Sequence, residues 1–263
     1  MSTTPVVDID RTIPSADDEI WYTRCPVPTA FEVALARGEF DAALRGKGVE
    51  WIPLAASDNP AVHQSHFTHC KENSFRHGGN VPAIVARARG AETRVIGASW
   101  LPVAYTVQAL PQSGIASPAD LRGRRLLVPR RPRAAVDFWA ASTLRVYAVA
   151  RASAGLTFDD VELVDVEAEA DLIPAAAHAT PRDRLRWTLD NAYTIQRSII
   201  GPLVRGEVDA VTSQATLSEQ LRVLTGARVV FDQADQPVLA DRVNNGYPDV
   251  VTVSAGLLER DPD

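Results

Sequence analysis

Strand and helix signals alternate along most of this chain, and that alternation constrains its fold more than any bulk property does. Gly48-Val49-Glu50-Trp51-Ile52-Pro53-Leu54 reads as a short strand, and Val81 to Arg89 reads as a helix with Pro82 in its first turn, where a missing N–H costs nothing. Thr93-Arg94-Val95-Ile96-Gly97-Ala98 is a second apolar strand, followed by a long extended piece from Val103 to Leu110. Ser117 to Pro129 then holds a helix start, one turn, a glycine stop at Gly123 and a buried strand in quick succession. The pattern continues with an amphipathic helix from about Ala134 to Ala154, a strand at Val161 to Val166, a helix around Arg182 to Leu203, and the segment Gly206 to Val211. A helix at Thr216 to Leu224 ends at Thr225-Gly226, and Ala227 to Phe231 and Tyr247 to Ser254 read as two strands returning to the sheet system. This order predicts an α/β fold built on βα units.

A chain of 263 residues, 46% of them hydrophobic, is long enough for one large or two medium domains with a packed core. A net charge of −6 argues against a general nucleic-acid surface, which needs a basic face to neutralise phosphates. No run of eighteen apolar residues is present, and Met1 to Glu19 is polar and acidic, so a soluble, cytoplasmic protein with no membrane partner is expected. Two cysteines, Cys25 and Cys70, are too few for a disulfide framework or a zinc ribbon and suit a reducing compartment.

Chemistry concentrates near the start. Cys25 sits in the stiff frame Cys25-Pro26-Val27-Pro28, just ahead of the apolar run Ala30 to Leu35, which reads as a helix. A sulfur at a helix entrance is expected to favour thiolate; the bland alternative is a buried cysteine acting as a small hydrophobe. Downstream lie His66-Phe67-Thr68 and Arg76-His77-Gly78-Gly79, which taken singly are a structural histidine, a solvated arginine and a turn. A metal site is the competing reading, since His63, His66, His69, Cys70 and His77 crowd together, although no His-Glu-x-x-His or Cys-x-x-Cys spacing occurs. Cys70 reads as a bystander able to pair with Cys25 only under oxidation. Arg122, Arg124, Arg125, Arg130, Arg131 and Arg133 bracket one strand and read as a solvated strand end, with attraction of an acidic substrate as the alternative; the acids from Asp159 to Asp171 read as charged surface.

The phrases Ala119-Asp120-Leu121-Arg122-Gly123-Arg124-Arg125-Leu126 and Val204-Arg205-Gly206-Glu207-Val208-Asp209-Ala210 resemble stretches of the sulfonate, nitrate and thiamine-precursor branch of the type II periplasmic-binding-protein superfamily. That resemblance implies two lobes, residues 1–108 with 235–263 and residues 109–234, closing on a ligand in the cleft between them. Cys25-Pro26-Val27-Pro28, His66-Phe67-Thr68, Arg76, Gly78-Gly79 and Pro82 together resemble, in type and spacing, the 2′-hydroxybiphenyl-2-sulfinate desulfinase family. The resemblance implies a cofactor-free carbon–sulfur bond hydrolase, a monomer, that releases sulfite from an aryl sulfinate. It makes Cys25 the essential thiol, His66 its companion, Arg76 the sulfinate clamp and Gly79 a backbone donor. Phe67 would line the aryl pocket. The thiol can serve as proton donor or nucleophile. That family continues past the stretch similar to Val253 to Leu258, so C-terminal helices are expected to be missing here, and the pocket residues of the second lobe have no counterpart that can be placed. A solute-binding protein that holds a sulfonate-like anion without turnover, and a cysteine enzyme acting on another anion such as a carboxylate, are the alternatives.

Overall fold

The computed structural model describes residues 12–25, 29–100, 105–168 and 197–261. Its elements in chain order are β1 (Glu19–Arg24), α1 (Ala30–Ala36), α2 (Glu39–Leu44), β2 (Glu50–Pro53), α3 (Pro60–Thr68), β3 (Ser74–Gly79), α4 (Asn80–Ala88), β4 (Thr93–Ser99) and β5 (Tyr105–Ala109). There follow β6 (Arg125–Arg130), α5 (Phe138–Ser153), β7 (Glu162–Glu167), α6 (197–204), β8 (Ala210–Gln214), α7 (Ala215–Thr225), β9 (Arg228–Asp232), α8 (Leu239–Arg242), β10 (Asp249–Ser254) and α9 (Ala255–Arg260). The strands form two five-stranded mixed sheets, ordered β2-β1-β3-β10-β4 and β7-β6-β8-β5-β9. β5 pairs with β8 and β9 over its whole length, so the chain passes to the second sheet before Tyr105 and returns to the first only at β10.

Local chemistry explains the element ends. Asn59 caps α3 by accepting from Ala61 N (3.0 Å) with Pro60 in the first turn, and the helix stops at His69, which takes the left-handed conformation at φ 56°. Ser117 and Asp120 form a capping box around a short 3₁₀ turn, Pro118–Leu121, where a helix start was expected. Gly226 closes α7 at φ 71°. The helix expected around Arg182 to Leu203 falls partly outside the described residues; what is described of it is α6.

Apolar packing is heaviest on the second sheet. Val107, Leu121, Leu126, Val128, Val146 and Tyr147 fill one side of it, and Leu127, Ile199, Leu203, Val211 and Leu221 fill the other. Each such side chain contributes about 1.5–3 kcal/mol on burial, so this sheet is a rigid base. The arginines of β6 are mostly spent on acids: Arg125 forks onto Asp209 (2.9 and 3.2 Å), Arg130 meets Asp165 (2.8 Å), and Arg122 meets Asp160. That is the solvated strand end expected from sequence, except at Arg131, which is buried, bonds Asp137 and lies 4.4 Å over the Phe138 ring.

The return segment before β10 joins the two halves. Asn244 donates to Ser142 O (3.2 Å) and Gln233 Oε1 (2.8 Å) on the second-sheet side, and its carbonyl accepts from Asn80 Nδ2 (2.7 Å) at the start of α4. Gly246 N donates to the Tyr105 hydroxyl (3.2 Å).

Candidate active site

β1 and β3 run parallel as neighbours, with Thr23 opposite Arg76 and Arg24 opposite His77. Side chains on a strand alternate faces, so Thr23 and Cys25 share the face that carries Arg76. α3 lies near this face and supplies His66. Three residues singled out from sequence thus converge: Cys25 Sγ is 3.5 Å from His66 Nε2, and the Arg76 Nε donates to the His66 carbonyl (2.6 Å). Thr23, not foreseen, completes the group, its hydroxyl 3.0 Å from His66 Nδ1. A neutral imidazole has one N–H and one lone pair, so the threonine orients the ring and decides which nitrogen faces the sulfur.

Arg76 is only 3% exposed, and among the described residues neither of its terminal nitrogens has a hydrogen-bond partner. A buried guanidinium with an empty fork carries a full desolvation penalty that a bound anion would relieve. Gly78 lies between this fork and the thiol: a Cβ there would fall 2.7 Å from Cys25 Sγ and 3.0 Å from the Arg76 Nη2. Only glycine lets the two approach.

Gly79 has a different reason to be glycine. A Cβ on it would come within 2.6 Å of the Asn245 Cγ, and Asn245 uses its Oδ1 to accept from Val81 N (3.1 Å) and its carbonyl to accept from Asn80 N (2.8 Å). The close approach expected at Gly79 is therefore made by the return segment, which also occupies the first donors of α4.

The protonation states follow from burial. Loss of water pushes the Cys25 thiol up, while Arg76 and the Gly79 amide draw it back. This corrects the expected thiolate. The helix entrance belongs to Thr29, which accepts from Glu32 N (3.3 Å), and Cys25 stands outside the first turn, where a helix dipole acts. Burial, then the Arg76 charge, hold His66 well below its ordinary pKa, and the same causes lower His69 to about 3 and depress His77. All three are neutral at pH 7. Burial raises Asp249 to about 6 against the pull of Arg76, and Tyr105 to about 12.

The remaining candidates are placed as follows. The Phe67 ring meets His66 edge-on (4.9 Å, 86°) and stacks on Phe138 of α5 (6.0 Å, 21°), a contact between the two halves; it also borders a groove of about 510 Å³ with His69, Lys71, Arg89 and Arg260. Pro26, Val27 and Pro28 lie outside the described residues. The histidines scatter: His63 bonds Ser57 O (2.5 Å), His69 bonds Thr93 (3.3 Å) and His77 bonds Thr29 (3.2 Å). Among the described residues no group of three potential ligands is gathered to hold a metal. Cys70 is buried and accepts from Thr68 Oγ1 (3.0 Å); both thiols are free.

Comparison with known proteins agrees with this architecture. Residues 79–181 match the family model described as NMT1/THI5 like. The chain is 28% identical over 277 residues to the 2′-hydroxybiphenyl-2-sulfinate desulfinase of Rhodococcus erythropolis, covering 93% of this chain and 68% of that protein. The solved structure of the desulfurization enzyme DszB superposes with a TM-score of 0.67 at 28% identity, covering 93% of this chain and 71% of that one. A cysteine-to-serine variant of DszB in complex with biphenyl-2-sulfinic acid gives a TM-score of 0.63 at 26% identity, with the same coverage. The periplasmic aliphatic sulphonate binding protein SsuA from Escherichia coli is similar in fold alone, with a TM-score of 0.60 at 16% identity over 93% of this chain and 64% of SsuA. With its two mixed sheets, the chain has the type II periplasmic-binding-protein-like fold and is similar in sequence and structure to the 2′-hydroxybiphenyl-2-sulfinate desulfinases.

Proposed function

We propose that this chain is a carbon–sulfur bond hydrolase that releases sulfite from an aryl sulfinate. The observation that carries the reading is the empty fork of the buried Arg76 beside a thiol–imidazole pair. A sulfinate is a compact anion with two oxygens on one sulfur, and a planar guanidinium offers two aligned donors to it. Arg76 holds the anion, and the aryl body extends toward Phe67 and Phe138.

The raised pKa of Cys25 supports the thiol as proton donor rather than nucleophile, since the proton is present at pH 7. Cys25 gives its proton to the ring carbon bearing sulfur. A C–H bond forms as the C–S bond breaks, its electron pair staying on carbon, and sulfur leaves as sulfur dioxide. Water adds to the sulfur dioxide to give bisulfite, and the proton released returns to the thiolate, steadied meanwhile by Arg76 and the Gly79 amide. His66, neutral and oriented by Thr23, holds the sulfur in line.

A second reading has its own support in the resemblance to SsuA: a protein that binds a sulfonate-like anion without turning it over. Sulfite release from 2′-hydroxybiphenyl-2-sulfinate and simpler aryl sulfinates, by the purified chain and by Cys25→Ser, separates the two. Turnover abolished in Cys25→Ser is the expected result. Saturable binding with no sulfite from either protein would replace the enzyme by the binding protein.

A further inference from the structure

Gly79 is the N-cap of α4, a place where a helix ordinarily takes a serine, threonine, aspartate or asparagine. Its φ of −53° suits any residue, so the backbone conformation does not demand glycine. The demand comes from Asn245: a Cβ on Gly79 would fall 2.5 Å from the Asn245 Nδ2 and 2.6 Å from its Cγ. Gly78, one residue earlier, turns its Cα toward Cys25 and the Arg76 fork instead. The Gly79 amide has a neighbour of its own. The His77 carbonyl accepts from Cys25 N (2.9 Å), and amide groups alternate between the two edges of a strand, so the Gly79 N–H, two residues on, faces the same edge and the end of β1. There it is the backbone donor that draws the Cys25 thiol down.

We propose that Asn245 is a positioning residue for the reaction at Cys25, holding Gly79 to Val81 from behind so that the Gly79 N–H stays on the sulfur. The inference rests on the reading of Cys25 as proton donor given above. A bare cap residue has no side chain to satisfy the first amides of its helix, and Asn245 does so from another part of the chain. Its Oδ1 accepts from Val81 N (3.1 Å) and its carbonyl from Asn80 N (2.8 Å). With both amides engaged and the carboxamide against its Cα, the Gly79 peptide has little room to turn. Asn245 is itself fixed from the second sheet. Its N–H donates to Asn244 Oδ1 (2.7 Å), Asn244 donates to Ser142 O and Gln233 Oε1, and Gly246, the next residue, donates to the Tyr105 hydroxyl. As Cys25 gives up its proton, negative charge grows on sulfur, and a donor already aimed there stabilises it without rearrangement.

Two variants separate this role from plain helix capping. Asn245→Leu keeps the bulk and loses the acceptor, whereas Asn245→Asp keeps an oxygen at the Oδ1 position. In Asn245→Leu, kcat for sulfite release from 2′-hydroxybiphenyl-2-sulfinate should fall by about tenfold or more, and Asn245→Asp should keep most of the parent rate. Sulfinate affinity should stay within about threefold of the parent, because the Arg76 fork faces Gly78 and not Asn245. Alkylation of Cys25 followed against pH should move to higher pH in Asn245→Leu, by up to about one unit, since the thiolate loses a steady donor. A parent-like kcat and thiol profile in Asn245→Leu, or losses in Asn245→Asp as deep as in Asn245→Leu, overturns the assignment while leaving the desulfinase reading standing. No sulfite from the parent protein overturns that reading and this inference with it. If Asn245→Leu does not fold, the Gly79 amide proton of ¹⁵N-glycine-labelled parent protein, followed as the thiol titrates, takes its place: a downfield move is expected, and an unmoved resonance refutes the contact.

Discussion

Replacing Gly78 with alanine tests the site at its tightest point. The added methyl would sit 2.7 Å from Cys25 Sγ, where ordinary contact begins at 3.4 Å, so the sulfur or the strand must retreat by about 0.7 Å. The same methyl is 3.0 Å from the Arg76 fork and pushes it as well. Displacement near 1 Å of a reacting group costs about a hundredfold in rate, so sulfite release from an aryl sulfinate should fall by about that factor, with sulfinate affinity also reduced. Folding should change much less. Gly78 does not need a positive φ, so alanine gains about 0.4–1 kcal/mol from the unfolded chain, against about 1–3 kcal/mol for overpacking. Steady-state kinetics together with a thermal melt form the assay. Turnover and sulfinate affinity within threefold of the parent would refute the reasoning, because the thiol and the fork would then not need this spacing.

Three further outcomes are expected. Arg76→Met removes a buried, unpaired charge, so the unfolding midpoint should hold or rise while sulfinate affinity falls by about 2–5 kcal/mol; a large loss of stability would mean that the arginine is structural. Acidification from pH 7 to 5 should destabilise the fold: His66, His69 and His77 have folded pKa values below the unfolded 6.5, so the unfolded chain binds more protons once pH drops through 6.5, and Asp249, raised to about 6, offsets about one of the three below that pH. Urea midpoints that stay level over that range would contradict the burial of these rings. Alkylation of Cys25 should be slow at pH 7, accelerate above pH 8, and slow further in Arg76→Met, where the cation drawing the thiol down is gone; fast labelling at pH 7 would mean a thiolate.

Cys25, His66 and Arg76 were legible as a group because their types and spacing carry a family resemblance, but the frame that joins them was not. β3, Ser74–Gly79, ends in two glycines and includes no β-branched residue, so it reads as a turn; it is a strand because β1 and β10 pair with both of its edges. α3 hides polar side chains, with Ser65, His66 and Thr68 buried, and so shows no apolar stripe, although Asn59-Pro60 was a readable start signal. Thr23 could have been found by stepping two residues back from Cys25 along an extended strand. Asn245 and Asp249 could not, since they reach Gly79 from more than 160 residues away through a crossing that no local period encodes.

The thiol teaches the sharpest lesson about scale. A helix entrance four residues off and a guanidinium across Gly78 both favour thiolate, yet each acts over a short distance or through one contact, whereas the partial burial of Cys25 removes water from much of the sulfur's surroundings. Desolvation therefore wins for Cys25, as it does for His66, and at pH 7 a neutral thiol and a neutral imidazole stand beside the Arg76 cation, whose fork is unpaired among the described residues. Such a pocket is selective by subtraction. On the proposed reading, a cation is repelled by Arg76, a neutral ligand leaves the fork unpaired, and an anion with two oxygens on one centre satisfies the fork beside a protonated sulfur.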